Sequence, residues 1–143
     1  MTLYFDSAYI AKCYLNEPDG KKVRRLAYNS TGLSSSVWCL AEFGCVLHRH
    51  LREGSIQGNA ANSIWDLFLR DIKKGVWNLL PVPERILRIA VERVLAAPVG
   101  VLLRAGDAIH LATAQDGGFT EIWSNDKRLL AAAPHFQLTG KSV

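Results

Sequence analysis

Residues 2–16, TLYFDSAYIAKCYLN, pass from a short apolar run directly into an amphipathic segment, with one aspartate at the junction. The run TLYF predicts a short buried strand, and SAYIAKCYLNE continues with the i, i+3, i+4 spacing of a helix. Ser7 has the side chain of a helix N-cap. Asp6 therefore lies where a buried strand ends, a place that suits either a capping carboxylate or one carboxylate of a larger site.

Short apolar runs alternate with helical segments along the rest of the chain. Strands are predicted at VWNLLPVP (76–83), TEIWS (120–124) and FQLTG (136–140), and GLSSS (32–36) predicts a strand or a turn. This alternation predicts an α/β fold, a three-layer sandwich with a mostly parallel central sheet flanked by helices. No linker interrupts the pattern, so we expect residues 1–143 to form a single domain.

The bulk composition restricts the class of protein. Hydrophobic residues make up 49% of the chain and charged residues 21%, which indicates a folded globular protein rather than a disordered one. No apolar run approaches the roughly 20 residues that a membrane span needs, and the N-terminus lacks the basic region of a secretory signal. The 17 basic and 13 acidic residues give a net charge of +4, which is compatible with a polyanionic partner.

The cysteines indicate a reducing compartment rather than a metal site. Cys13, Cys39 and Cys45 form no CxxC pair, which disfavours a zinc site, and each lies inside an apolar pattern. Buried free thiols are the simplest interpretation, and they fit a reducing environment. We therefore expect a cytoplasmic protein with no membrane association.

Four acidic residues differ from the others in where they fall in the predicted elements. Asp6 and Asp126 follow predicted strands, and Asp107 begins a predicted helix after a glycine. Glu42 lies within the third helix, on or next to its apolar stripe. In open parallel sheets, ligands bind beyond the carboxyl ends of the strands. N-capping is the other interpretation of each of the three aspartates.

Glu42 is the most informative of the four, because capping does not explain a carboxylate inside a helix. The alternative is a half-exposed helix residue that pairs with a nearby base, such as Arg49 or Lys12. The remaining acidic residues lie in charged or loop contexts, where exposure to solvent explains them.

Four stretches that together span nearly the whole chain resemble one family. They are YFDSAYIAKCYLNEP (4–18), WCLAEFGCVLHRHLREG (38–54), LLRAGDAIHLATAQDGG (102–118) and IWSNDKRLLAAA (122–133). In order and spacing they resemble the PIN-domain ribonucleases, and most of all the VapC-type toxins of bacterial toxin–antitoxin pairs. DAIHLA matches the usual third motif of such toxins, D-A-hydrophobic-H-L-A. Gly106 before the third acid, and Gly44-Cys45 after the second, are small departures from the family pattern.

The resemblance assigns roles to particular residues. The acidic positions of the family fall on Asp6, Glu42, Asp107 and Asp126. The hydroxyls that often accompany the first and last acids fall on Ser7 and Ser124. The resemblance also implies a PIN-like fold, metal-dependent endoribonuclease activity on an RNA substrate, a homodimer, and inhibition by a cognate antitoxin protein.

The chemistry of a four-carboxylate site explains why a metal is expected. Carboxylates repel a phosphate, and two of them ~4 Å apart repel each other by roughly 4 kcal/mol at an effective dielectric of about 20. Mg²⁺ and Mn²⁺ prefer oxygen ligands, screen the phosphate and lower the pKa of bound water. We expect the four acids to hold one or two such ions, with Asp6 and Asp107 as the best candidates for direct ligands. Ser7 and Ser124 would orient carboxylates through hydrogen bonds.

Several other side chains have two interpretations. His110, three residues after Asp107, is either a general base or a structural histidine, and the structural role is favoured. Four basic side chains of the third helix either form its polar rim or contact the RNA backbone: His48, Arg49, His50 and Arg52. Core packing is favoured over base stacking for the tryptophans: Trp38, Trp65, Trp77 and Trp123. The segment SIWDLFLRDI (63–72) suits either a core helix or a dimer or antitoxin surface.

Three other functions compete with that of a nuclease toxin. A phosphotransfer receiver domain needs adjacent acids after the first strand, but Ser7 follows Asp6, and WNLLPVPE offers no phosphoacceptor aspartate. A catalytically silent PIN module that binds RNA or protein is disfavoured by the complete set of four acids. The third is a PIN nuclease that is not a toxin, and the short chain favours a toxin over it.

Overall fold

Five short parallel strands alternate with helices in the computed structural model, which describes all 143 residues, Met1–Val143. The strands are β1 (Thr2–Tyr4), β2 (Gly32–Ser36), β3 (Trp77–Leu80), β4 (Glu121–Trp123) and β5 (Thr139–Lys141). The helices are α1 (Ser7–Tyr14), α2 (Gly20–Tyr28), α3 (Cys39–Arg52), α4 (Gly58–Lys73), α5 (Glu84–Ala96), α6 (Ala105–Asp116) and α7 (Lys127–Ala132), and a 3₁₀ turn follows at Ala133–Phe136. None of the helices has the length and apolar character needed to cross a membrane. The order of elements confirms the predicted α/β fold.

The sheet has its topological switch point between β1 and β4. β2 pairs in parallel with β1 on one side and β3 on the other, and β4 pairs in parallel with β5. A single parallel bridge between Phe5 and Trp123 joins the two groups of strands, which gives the order β3-β2-β1-β4-β5. After β1, the chain forms β2 and β3 on one side of that strand, and it later forms β4 and β5 on the other side. Such a reversal creates a crevice at the carboxyl ends of the strands.

The sheet is covered by an apolar layer on each face. In and just after β1, Leu3 and Phe5 face the layer formed with α1 to α4, whereas Tyr4 faces the layer formed with α5 to α7. Successive side chains of a strand point to opposite faces, which is why adjacent residues join different layers. In the first layer, the rings of Phe43 and Phe68 pack edge to face, with centroids 4.9 Å apart. The result is the expected three-layer arrangement.

Some local predictions were wrong. β5 begins at Thr139, three residues later than the predicted start at Phe136, because Phe136 is fully buried in the 3₁₀ turn and Gln137 has a left-handed φ of 59° that ends the turn. Cys45 is exposed, although a buried thiol was expected. Cys39 is buried, and this burial raises the pKa of its thiol to about 12.

Candidate active site

The four acidic residues line one cleft with a volume of about 620 Å³. Asp6 follows β1 and Asp126 lies just beyond β4, so both occupy the switch point of the sheet. Glu42 lies in the first turn of α3, and Asp107 lies in the first turn of α6. Four separate segments of the chain therefore each contribute one carboxylate to the same cleft.

Asp6 is the most buried of the four acids, with 5% of its surface exposed. It is the N-cap of α1, the role predicted for Ser7: its Oδ1 accepts a hydrogen bond from the backbone N–H of Tyr9 at 3.0 Å. Its Oδ2 accepts a hydrogen bond from Ser124 Oγ at 2.5 Å. Burial raises the pKa of Asp6 to about 6, against the opposing effects of His110 and of these hydrogen bonds. The ionised form is costly here without a nearby cation.

Asp126 divides its two oxygens between a helix cap and the cleft. Its Oδ1 accepts hydrogen bonds from the backbone N–H groups of Arg128 at 2.9 Å and Leu129 at 3.4 Å, at the start of α7. Its Oδ2 accepts a hydrogen bond from Arg104 Nη2 at 2.6 Å. Capping and a place in the cleft were alternative interpretations of Asp6 and Asp126. The structure shows both, because a carboxylate has two oxygens.

Asp107 is not an N-cap, so that interpretation of it was wrong. It is the third residue of α6, and Arg104 occupies the cap position without a side-chain capping hydrogen bond. Asp107 Oδ2 accepts a hydrogen bond from Arg104 Nε at 3.1 Å. Partial burial, together with the charges of Asp126 and Glu42, raises the pKa of Asp107 despite the guanidinium beside it.

Glu42 is held by two neighbours on one oxygen. Ser7 Oγ donates a hydrogen bond to Oε1 at 2.7 Å, and His110 Nε2 lies 2.6 Å from the same atom. Burial works to raise the pKa of Glu42, but the contacts with His110 and Ser7 outweigh it, and the pKa lies below its usual value. Glu42 is thus held as a carboxylate. The alternative pairing with Lys12 is not formed, since Lys12 Nζ donates instead to the carbonyl of Pro18 at 2.6 Å.

His110 links Glu42 to the core. It is 2% exposed, and its Nδ1 lies 3.0 Å from Tyr4 Oη. Burial holds the pKa of Tyr4 well above its usual value, so the phenol stays protonated beside Nδ1. On the other side of the ring, Nε2 faces the Glu42 carboxylate and donates to it. With both ring nitrogens engaged, His110 fits the favoured structural role.

Arg104 is a site residue that the sequence analysis missed. It bridges Asp107 and Asp126, and 62% of its side-chain surface is exposed. The available signal was its position three residues before Asp107 at the start of a helix, because i and i+3 share a face. Its guanidinium compensates two of the four carboxylates.

Gly106 departs from the family pattern for a steric reason. A Cβ at this position would lie 2.7 Å from Oε2 of Glu42 and 3.5 Å from Nε1 of Trp38. The start of α6 approaches α3 so closely that a side chain there would displace the carboxylate of Glu42. The glycine therefore belongs to the construction of the cleft.

Trp38 also lines the cleft, and the core-packing prediction is wrong for it. It precedes α3 and is 40% exposed. Trp77 is buried, as expected, and packs against Phe5. Trp65 and Trp123 are partly buried against the same apolar layer.

The donor set of the cleft suits a hard divalent cation. In this arrangement no group of three or more His, Cys, Asp or Glu side chains is close enough to hold a metal ion. Arg104 instead pairs with two of the acids, but its mostly exposed side chain is free to turn away without disturbing the core. All the candidate donors are carboxylate oxygens, which Mg²⁺ and Mn²⁺ prefer over nitrogen or sulfur.

Comparisons with known proteins place the fold in a family. The sequence profile of the PIN domain matches residues 3–134. No curated protein sequence matches the chain. Three solved structures are similar over most of their lengths. VapC20 from Mycobacterium tuberculosis, a sarcin–ricin-loop-cleaving toxin, is 18% identical, with a TM-score of 0.71 over 91% of this chain and 94% of that one. VapBC2 from Rickettsia felis, bound to a DNA fragment from its promoter, is 16% identical, with a TM-score of 0.68 over 99% and 98%.

FitAcB from Neisseria gonorrhoeae is 16% identical, with a TM-score of 0.69 over 98% of this chain and 96% of that one. Identities this low establish a shared fold and no more. The profile, however, covers most of the chain. The chain belongs to the PIN domain family.

Proposed function

We propose that this protein is a metal-dependent endoribonuclease and the toxin of a toxin–antitoxin pair, acting in the cytoplasm as a single domain over residues 1–143. One observation carries the proposal: Asp6, Glu42, Asp107 and Asp126 line one cleft at the switch point of a parallel sheet. Membership of the PIN family and the toxins among the similar folds support it.

The four carboxylates would hold one or two Mg²⁺ or Mn²⁺ ions, with Asp6 and Asp107 as direct ligands. Burial raises the pKa of both groups, so each carries a charge that a cation would stabilise. When bound, the ion compensates the charge of the phosphate and makes water a better nucleophile. The donor chemistry of the cleft is the support for this assignment.

Hydroxyl groups hold the carboxylates in place. Ser124 Oγ donates to Asp6 and accepts a hydrogen bond from the backbone N–H of Asp126 at 2.9 Å, so one hydroxyl links two acids. Ser7, next to Asp6 in the chain, holds Glu42 together with His110. Both serines are positioning residues in this proposal, because each acts on a carboxylate rather than on the substrate.

The proposed reaction is hydrolysis of an RNA phosphodiester bond. Water attacks phosphorus, the bond from phosphorus to the 3′ oxygen breaks, and the products carry a 5′-phosphate and a 3′-hydroxyl. The departing 3′ oxygen takes up a proton as its bond to phosphorus breaks, and the proton released by the attacking water passes to solvent. Arg49 and Arg104 line the same cleft and would contact the RNA backbone.

Two partners are proposed besides RNA: a cognate antitoxin and a second copy of the chain. The toxins among the similar folds support the antitoxin. Apolar surface is available for both partners, since Leu67 and Leu69 of α4 are exposed, as are Leu87, Val91 and Leu95 along one face of α5.

A cleavage assay tests the nuclease. Purified protein is incubated with total RNA in Mg²⁺, in Mn²⁺ and in EDTA, alongside Asp6→Asn and Asp107→Asn. We expect discrete cuts with 5′-phosphate ends that require metal and disappear in both variants. Asp66→Asn, which changes an exposed acid of α4 outside the cleft, is the matched control and should cut normally. Cuts that persist in EDTA and leave cyclic phosphates would indicate a contaminating ribonuclease.

Two outcomes would replace the proposal. If folded protein cuts no RNA, a DNA substrate or a catalytically silent module that binds RNA or protein becomes the better interpretation. The second outcome is that the protein cuts RNA while cells that express it grow as well as cells that express Asp6→Asn. In that case it is a PIN nuclease that is not a toxin.

A further inference from the structure

We propose that Trp38 is a base-stacking platform that restricts the substrate to RNA whose bases are unpaired beside the carboxylates. The proposal rests on the proposed nuclease function and adds a specificity residue to it. Trp38 differs from the other three tryptophans because it is 40% exposed and lines the acidic cleft.

The environment of Trp38 leaves an indole face without an aromatic partner. Trp65 and Trp77 each pack against Phe68, with ring centroids 6.1 and 6.2 Å apart. Trp38 makes no such contact with any ring of the protein. A large apolar side chain that stays exposed inside a cleft, rather than in the core, is suited to a ligand with a flat apolar face.

The backbone of Trp38 is anchored by a hydrogen bond, and its indole lies near Glu42. Its backbone N–H donates to Ser36 Oγ at 3.2 Å, which holds the residue at the start of α3. A Cβ added to Gly106 would lie 3.5 Å from Nε1 of Trp38 and 2.7 Å from Oε2 of Glu42. Both groups therefore lie close to the same point. The indole nitrogen therefore lies near one of the four acids. A base stacked on it would belong to a nucleotide adjacent to the phosphate that reaches those acids.

Stacking explains selection for unpaired RNA without selection for sequence. Every base has an aromatic face, so an indole accepts all four, but a base must leave its helical stack to use it. A-form duplex RNA keeps its bases stacked and would be excluded from this platform. A protein partner is the other class of molecule that an exposed tryptophan can bind, but the setting among carboxylates and arginines favours a nucleic acid.

The test measures binding and cleavage separately. A fluorescein-labelled 12-nucleotide RNA without secondary structure, and the same sequence as a duplex, are titrated by anisotropy against Asp6→Asn protein in Mg²⁺. Trp38→Ala, Trp38→Phe and Tyr28→Ala are then added to this background. Tyr28 is a matched control, since it is an exposed aromatic residue of α2 outside the cleft.

For unpaired RNA, we expect Trp38→Ala to weaken binding roughly tenfold, Trp38→Phe to retain most of the affinity, and Tyr28→Ala to have no effect. Duplex binding should be weak in every variant and insensitive to position 38. In active protein, Trp38→Ala should raise KM for unpaired RNA while kcat stays within a few fold.

Other results would overturn the proposal. If Trp38→Ala binds unpaired RNA as the parent does, or if the loss is equal for the duplex, Trp38 is not a stacking platform. A kcat loss with unchanged KM would indicate damage to Glu42 instead. These results differ from a failure of the nuclease proposal, in which no variant cuts RNA but the dependence of binding on Trp38 can still be measured.

Discussion

Replacement of Asp6 by asparagine should stabilise the metal-free protein, even though we expect it to abolish cleavage. Asp6 is buried, and its pKa is raised from 3.8 to about 6, first of all by that burial. Between these two values the folded state holds the proton that the unfolded state has released. Stability therefore falls as the pH rises through this window, and the full penalty is present at neutral pH.

The size of the effect follows from the shift. A change of about 2 pKa units corresponds to about 3 kcal/mol, taken as an upper limit. Asparagine removes the charge and keeps the local hydrogen bonds: its Oδ1 accepts from the N–H of Tyr9, and its Nδ2 donates to Ser124 Oγ. We expect Asp6→Asn to be about 1–3 kcal/mol more stable at pH 7.5, or roughly 3–10 °C in Tm.

The assay is thermal and urea unfolding, followed by circular dichroism from pH 4 to pH 8 in EDTA. The advantage of Asp6→Asn over the parent should be largest above pH 6 and nearly absent at pH 4. Asp66→Asn, at an exposed position, should show no such trend. In saturating Mn²⁺ the order should reverse, because the ion stabilises the parent more. A variant that is less stable than the parent at pH 7.5 in EDTA would refute the reasoning.

Four further predictions concern other parts of the structure. Phe68→Ala should lower the free energy of unfolding by about 3–5 kcal/mol, since the ring is fully buried; a urea-derived loss below 1 kcal/mol would contradict the packing described. Gly106→Ala should reduce cleavage at least about tenfold with little change in Tm, because its Cβ would displace Glu42; normal activity would show that the carboxylate moves without consequence. Arg104→Ala should tighten Mn²⁺ binding roughly two- to fivefold by calorimetry, as it frees two carboxylates; weaker binding would mean that the guanidinium assists the site. Cys45 should be the first thiol modified by a disulfide reagent in the native protein, because it is exposed, and protection of Cys45 in a concentrated sample would place it in an interface.

The sequence by itself determined the order of elements and the identity of the acidic positions. Alternation of periods 2 and 3.6 is a local property, and it predicted the α/β order and placed strands at 76–83 and 120–124, where β3 and β4 lie. Asp6 could be singled out because it interrupts the junction of an apolar strand and a helix. Glu42 could be singled out because the pattern placed a carboxylate on or next to the apolar stripe of the third helix.

Tertiary structure decided how those residues work together. Arg104 could not be assigned from the pattern, because its second partner, Asp126, comes from a distant part of the chain. The exposure of Trp38 depends on how α3 meets α6 at Gly106, which no local pattern reports. The division of each capping aspartate between a helix and the cleft likewise follows from the strand order. Contacts between distant segments depend on packing, and packing is set by the whole chain rather than by any stretch of it.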